Sequence, residues 1–187
     1  GSGADHYIDY DAFPTVQGGV GAVASTYTVY VADGTYVEIP GYVGTTKQFN
    51  VLGAVDGGGN PLPVLQGKLS LDHPGADTAW RIENINFLAD STSSALLSIK
   101  NLNNAAIKNC TFDGAGRFMA TPYVNGVSFE SCPNGNTHPT IEDCVFKNGL
   151  YTAITGVASD LTVTDCTIEN VKSGFNSRGS NLVVQDT

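Results

Sequence analysis

Five short segments of this 187-residue chain lie over one another without a gap. They are Ile82-Glu83-Asn84-Ile85-Asn86-Phe87, Ile107-Lys108-Asn109-Cys110-Thr111-Phe112, Ile141-Glu142-Asp143-Cys144-Val145-Phe146, Val163-Thr164-Asp165-Cys166-Thr167-Ile168 and the shorter Val184-Gln185-Asp186-Thr187, offset by 25, 34, 22 and 21 residues. Self-similarity at such a period marks a chain that stacks like units, none of which buries its apolar face alone. Positions one, four and six of the unit are apolar or small, and positions two and five are polar. A continuous strand would put positions one, three and five on one face. The phase instead slips by one at the Asn or Asp in position three, which marks a corner between two short strands. Asn and Asp suit a corner because they tolerate left-handed backbone and bond to nearby amides. Successive units then stack about 4.8 Å apart in parallel register.

Stacking predicts columns. Ile82, Ile107, Ile141, Val163 and Val184 form an aliphatic one, and Phe87, Phe112, Phe146 and Ile168 another. Cys110, Cys144 and Cys166 form a third, as small buried hydrophobes with free thiols. Cys132 lies outside the repeat and is the cysteine open to a bridge. The four cysteines are spaced by 22, 12 and 22 residues, which matches no zinc pattern. On the outside, Glu83, Lys108 and Glu142 are expected to stack with alternating sign. Composition agrees with β-structure rich in turns: 22 Gly, and only 14% charged residues. The formal charge of −9 disfavours nucleic acid and anionic membrane as partners. No apolar run reaches the roughly 18–20 residues of a membrane span.

At the repeat the chain resembles the pectin-lyase-like superfamily, whose parallel β-helix repeats the I-x-N-C-x-F and I-x-D-C-x-F units look like. Tyr27 to Glu38 (YTVYVADGTYVE) looks like the first coil of that family, and Phe49 to Ala54 followed by Gly57-Gly58-Gly59 like its next strand and turn. Pro14 to Val23 matches its capping helix, with Val16, Val20 and Val23 at helical spacing, although each glycine there weakens a helix by about 1 kcal/mol. The fold expected is all-β: a single-stranded right-handed parallel β-helix of about 6–7 coils with an N-terminal capping segment. Residues 1–9 are assigned to a cloning scar and lead-in, and 10–187 to the β-helix domain. The resemblance implies use outside the cytoplasm, secreted or at the cell surface, but not a particular activity.

The corner column runs Asn84, Asn109, Asp143, Asp165, Asp186. The asparagines resemble an amide ladder. Stacked aspartates repel by roughly 3 kcal/mol per neighbouring pair at an effective dielectric near 20, so backbone donors, a raised pKa or a cation must relieve them. Carboxylates capping corner amides are the simpler expectation. Calcium held by Asp143, Asp165 and Asp186 is the metal-site expectation.

The 34-residue offset marks an insertion between Phe112 and Ile141. It carries Arg117, Tyr123, Asn125-Gly126, Cys132, Asn134-Gly135 and His138, and long loops on rigid scaffolds are where binding residues gather. Arg117, Tyr123 and His138 are therefore the candidate substrate-binding residues. The resemblance implies that a lyase would use a basic group such as Arg117, with Lys172 or Arg178 behind it, and a cation. The Asp-Asp and Gly-His-Gly units of related hydrolases are absent. The glycine triplet reads as a turn, and Asn109-Cys110-Thr111 as a glycosylation sequon hidden in the ladder.

The first functional expectation is a non-catalytic module that binds a polysaccharide or surface glycan, or assembles with its own copies. The segment ends at Asp186-Thr187 inside a coil, which implies either a longer protein or head-to-tail contact through that coil. The alternative is a fragment of a polysaccharide lyase or hydrolase acting on acidic polysaccharide, told apart by whether Arg117 faces a cleft with at least two carboxylates.

Overall fold

The computed structural model describes residues 6–8, 13–38, 41, 43–44, 47–72, 79–101, 104–118, 121–130, 139–157, 161–178 and 182–185. His6–Ile8 (β1) and the helix Val16–Ala22 (α1) precede the stack. The first coil is Tyr27–Val31 (β2), Thr35–Val37 (β3) and Val43–Gly44 (β4), and the second is Phe49–Gly53 (β5), Val64–Gln66 (β6) and Leu69–Asp72 (β7). Ala79–Glu83 (β8), Asn86–Leu88 (β9) and Ala95–Lys100 (β10) make the third. Asn104–Lys108 (β11), Thr111–Asp113 (β12) and Asn125–Glu130 (β13) make the fourth. Thr140–Glu142 (β14), Val145–Lys147 (β15) and Thr152–Val157 (β16) make the fifth. The sixth is Leu161–Thr164 (β17), Thr167–Ile168 (β18) and Ser173–Arg178 (β19), after which Leu182–Gln185 (β20) begins another turn.

Each coil gives one strand to each of three sheets. Sheet A runs β1-β2-β5-β8-β11-β14-β17-β20, sheet B runs β3-β6-β9-β12-β15-β18, and sheet C runs β4-β7-β10-β13-β16-β19. Neighbouring strands are parallel throughout, for example Ile82↔Ile107↔Ile141↔Val163 in sheet A. The chain is a parallel β-helix, all-β apart from α1.

The A-to-B corner is made by the residue at which the sequence phase slips. Asn84, Asn109, Asp143 and Asp165 hold φ of 60°, 49°, 53° and 53°. Each reverses the in-and-out order, so Ile82 and Ile85 both point inward and are fully buried. The amide ladder forms: Asn109 Nδ2 donates to Asn84 Oδ1 at 2.8 Å, and Asn84 Nδ2 to the Gly53 carbonyl at 3.3 Å. Gly53 begins this column because the backbone of the next coil passes close above it; a Cβ there would lie 2.0 Å from the Asn84 carbonyl oxygen. The Gly57-Gly58-Gly59 segment is a turn, closed by Asp56 Oδ1 accepting from the Gly58 and Asn60 amides at 2.8 and 2.9 Å.

The predicted columns pack the interior. Phe87 and Phe112 stack with centroids 4.9 Å apart, and Phe112 and Phe146 with centroids 4.8 Å apart. Ile168 continues the column only half-buried. In the aliphatic column the four lower rungs are buried, whereas Val184 is 42% exposed, because β20 is the last described strand of its sheet. Cys110, Cys144 and Cys166 are buried free thiols. Each lies near two carbonyls, one of its own strand and one of the coil below, as for Cys144 with Glu142 at 3.2 Å and Ile107 at 3.8 Å. The neighbouring thiol and burial push the Cys166 thiol far up, and the Cys110 thiol is the first cause of the same shift at Cys144. Cys132 lies outside the described residues.

The outer charge column forms only in part. Lys108 Nζ meets Glu142 Oε1 at 2.7 Å and Asp143 Oδ2 at 3.3 Å. Glu83 pairs with Arg81 on its own strand instead. A single ammonium serves the two carboxylates above it, and Arg81, two residues away on the same face, takes the one below.

The helix α1 caps the N-terminal end in spite of its glycines. Val16, Val20 and Val23 are fully buried, and the helix packs on β1, β2, β4 and β7. Thr15 Oγ1 accepts from Gly18 N at 3.0 Å. The buried Glu38 carboxylate accepts from Val16 N at 2.7 Å and Gln17 N at 3.2 Å. Those donors are the ones a helix start leaves unpaired, so a carboxylate from the first coil replaces what the weak helix sequence lacks. Desolvation by burial raises the Glu38 pKa, against the two backbone hydrogen bonds.

Truncating Phe146 to Ala removes a fully buried ring from the stack and should cost about 3–5 kcal/mol in denaturant melts; no loss would overturn the inward column. In a Cys132→Ser variant the remaining thiols, held protonated and buried, should resist an aromatic disulfide reagent in the native protein and react after denaturation. Rapid native labelling would show that the ladder is open to solvent.

Candidate functional site

The B-to-C corner departs most from regularity. The fifth and sixth coils turn through residues 148–151 and 169–172, while the fourth takes residues 114–124. This is the first part of the expected insertion. The Asn125-Gly126 pair within it opens strand β13 of sheet C, and Gly126 is buried against Phe146.

The long turn is tied to the coils on either side. Asp113 Oδ1 accepts from Ala115 N at 2.8 Å, and Asp113 Oδ2 from Asn148 Nδ2 at 2.9 Å. Ala115, Asn148 and Asn170 turn at φ of 52°, 55° and 51°. Gly116 N donates to the Asn148 carbonyl at 2.6 Å, and Gly149 N to the Asn170 carbonyl at 2.8 Å. Gly149 stands at φ +91°, and a Cβ on it would lie 2.6 Å from Arg117 N. Only glycine lets the long turn lie this close to the coil above. A groove of about 460 Å³ results, lined by Leu88, Asp113, Ala115, Gly116, Phe118, Asn148 and Asn170. Phe118 is 39% exposed at its edge.

On the same corner Tyr123 stacks on Tyr151 with centroids 4.3 Å apart and planes inclined by 24°. Lys172 Nζ lies 4.3 Å from the centre of the Tyr151 ring, a cation–π contact of about 0.5–1 kcal/mol at an exposed site. Tyr123 remains 43% exposed. The backbone sets the ladder: Tyr151 N donates to the Val124 carbonyl at 2.7 Å, and Lys172 N to that of Leu150 at 3.0 Å. Beside it, sheet C carries Ser128, Thr155 and Asn176 in register on its outward face.

Of the residues singled out in the sequence, Tyr123 belongs to this surface. Arg117 is held between two groove-lining residues but is itself outside the lining. Its Nη2 donates to the Ser91 carbonyl at 3.3 Å, and its buried Nη1 has no hydrogen-bond partner among the described residues. The guanidinium thus bridges the long turn to the coil below. Lys172 lies on Tyr151, and the Arg178 side chain, His138 and Asp186 lie outside the described residues. Asp143 and Asp165 are exposed corner residues, and Asp143 is paired with Lys108. Among the described residues no group of three His, Cys, Asp or Glu side chains is placed to hold a metal ion, and no helix is long and apolar enough to cross a membrane. Hydrogen bonding to Glu142 and then to Asp143 raises the Lys108 pKa. Tyr151, Asn148 and Asn170 were not marked by sequence reasoning. The signal was present as Asn148-Gly149, two residue types suited to left-handed backbone, as the single Asn or Asp is at the other corner.

Replacing Gly149 by Ala should cost at least about 1–2 kcal/mol in denaturant melts from the backbone conformation alone. Gly57→Ala, into open space, should stay within about 0.5 kcal/mol. Equal effects would refute the close approach.

No protein-family model matches the chain, and no curated protein matches it in sequence. Among solved structures, a Parabacteroides merdae protein described provisionally as a glycosyl hydrolase is similar over 86% of this chain and 81% of its own, with 12% identity and a TM-score of 0.43.

Proposed function

We propose that this chain is a non-catalytic β-helix module, of the pectin-lyase-like kind, that binds a glycan along its B-to-C corner. The observation that carries the reading is the stacked Tyr123–Tyr151 pair, with Tyr123 43% exposed, beside a groove edged by Asp113, Asn148 and Asn170. Aromatic faces take the C–H face of a sugar ring, and short amide and carboxylate groups take its hydroxyls. The pair is held by backbone bonds between coils, so little ordering remains to be done on binding.

Binding fits this surface better than hydrolysis. Glycoside hydrolysis normally needs two carboxylates facing one bond. The groove lining contains one, Asp113, and both of its oxygens already accept hydrogen bonds. A lyase would need Arg117 facing a cleft with paired carboxylates, whereas its guanidinium reaches for the Ser91 carbonyl.

The test is retention on an array of neutral and acidic polysaccharides, with Tyr123→Ala as the variant. The wild-type chain should bind, and the variant should lose about tenfold in affinity, which is ~1.4 kcal/mol. It should stay folded, losing in melts no more than an aromatic pair contributes, about 0.5–1.5 kcal/mol. Binding of nothing on the array, or equal binding by the variant, would refute the reading.

A further inference from the structure

The groove does not end where its lining ends. Leu88, at its lower edge, belongs to an outward column of sheet B that runs Val37↔Gln66↔Leu88↔Asp113↔Lys147. Beside it runs Thr35↔Val64↔Asn86. On the three lower rungs these six outward side chains carry no charge, in a chain of formal charge −9. Charge begins at Asp113, on the next rung up. Val37, at the far end, is 59% exposed, the highest value among the large hydrophobic residues described. Asn86 Nδ2 is held by the Pro61 carbonyl at 2.7 Å, which fixes its amide at the margin of the strip. Asp90, two residues beyond Leu88, has its carboxylate engaged by Thr92 and Ser93.

We infer that this strip is the continuation of the glycan site, and that it selects an uncharged, extended polysaccharide chain. The inference rests on the glycan-binding reading of the groove. Size decides the occupant. Three rungs about 4.8 Å apart, one short strand wide, offer on the order of 150 Å². A stable protein interface buries about 800 Å² on each partner, so a second copy of this chain or another protein would be poorly held. A single polymer chain is as narrow as the strip. Its ring C–H groups meet Val37, Val64 and Leu88, and its hydroxyls meet Thr35, Gln66 and Asn86. A polyuronate would bring a row of carboxylates onto six uncharged side chains, with Lys68 at the end of the middle rung as the cation beside them, on a protein whose net charge already repels them. The strip shares Leu88 with the groove, so one ligand spans both, running along the stack.

The experiment is affinity electrophoresis of the full chain in gels containing galactomannan, xyloglucan or polygalacturonate, repeated with trisaccharides of the neutral polymers as competitors. Val37→Glu and Gln66→Glu, singly and together, place charge on outward positions that leave the core intact, which unchanged melting would verify. The wild-type chain should be retarded by a neutral polymer and not by polygalacturonate. The double variant should lose about fivefold or more in affinity for the polymer while trisaccharides bind as before, and Tyr123→Ala should weaken both. Unchanged polymer binding by the double variant, or preference for polygalacturonate, would overturn the strip and leave the groove standing. No retardation of the wild-type chain in any gel would overturn the groove and the strip together.

Discussion

Coils three to six each turn from sheet A to sheet B through one residue in left-handed backbone, and the rest of the column depends on that turn. It reverses the alternation of side chains, so that Ile82 and Ile85, Ile107 and Cys110, or Ile141 and Cys144 all point inward across a corner. Without the reversal one of the two sheets would turn its apolar face to water. The turn also fixes register, because Asn84, Asn109, Asp143 and Asp165 must stack on one another for their neighbours to do so. The phenylalanine stack and the thiol column follow from that register.

Regularity at one corner leaves irregularity free at another. In coils three to six the A-to-B turn is only two residues long, and the backbone of one coil passes directly over the next at Gly53, while the second coil carries its longer segment 54–63 there. The B-to-C turn varies from coil to coil, and there the long fourth-coil segment folds against Asn148 and Gly149 to make a groove. Recognition on such a scaffold costs little stability, because the core columns are elsewhere. The exposed tyrosine is held by stacking and by the backbone beneath it, not by the interior.

One expectation changed in the structure for an electrostatic reason. Three outer residues of alternating sign were expected to form one column, yet Lys108 is drawn to Glu142 and Asp143 while Glu83 takes Arg81. Local spacing offered Glu83 a partner on its own strand, which register alone does not reveal. The corner aspartates were expected to need relief, and at Asp143 the same lysine supplies it. Helix α1 shows the converse: three glycines weaken it locally, and Glu38, sixteen residues beyond its last turn, restores its start.

The sequence by itself determined the stack: its period, its corner residues, the inward columns and the free thiols. Those are short-range patterns repeated often enough to be seen, and each repetition is an independent witness to the same geometry. Tertiary structure alone decided what the B-to-C corner presents. Tyr123 and Tyr151 are far apart in the chain, as are Leu88 and Asn170, and no periodicity joins them. They meet because an insertion shifts one coil relative to the repeat and parallel stacking then brings its turn against its neighbours. The strip from Val37 to Leu88 is likewise invisible along the chain, since its members are separated by whole coils and acquire a common surface only when the coils are stacked.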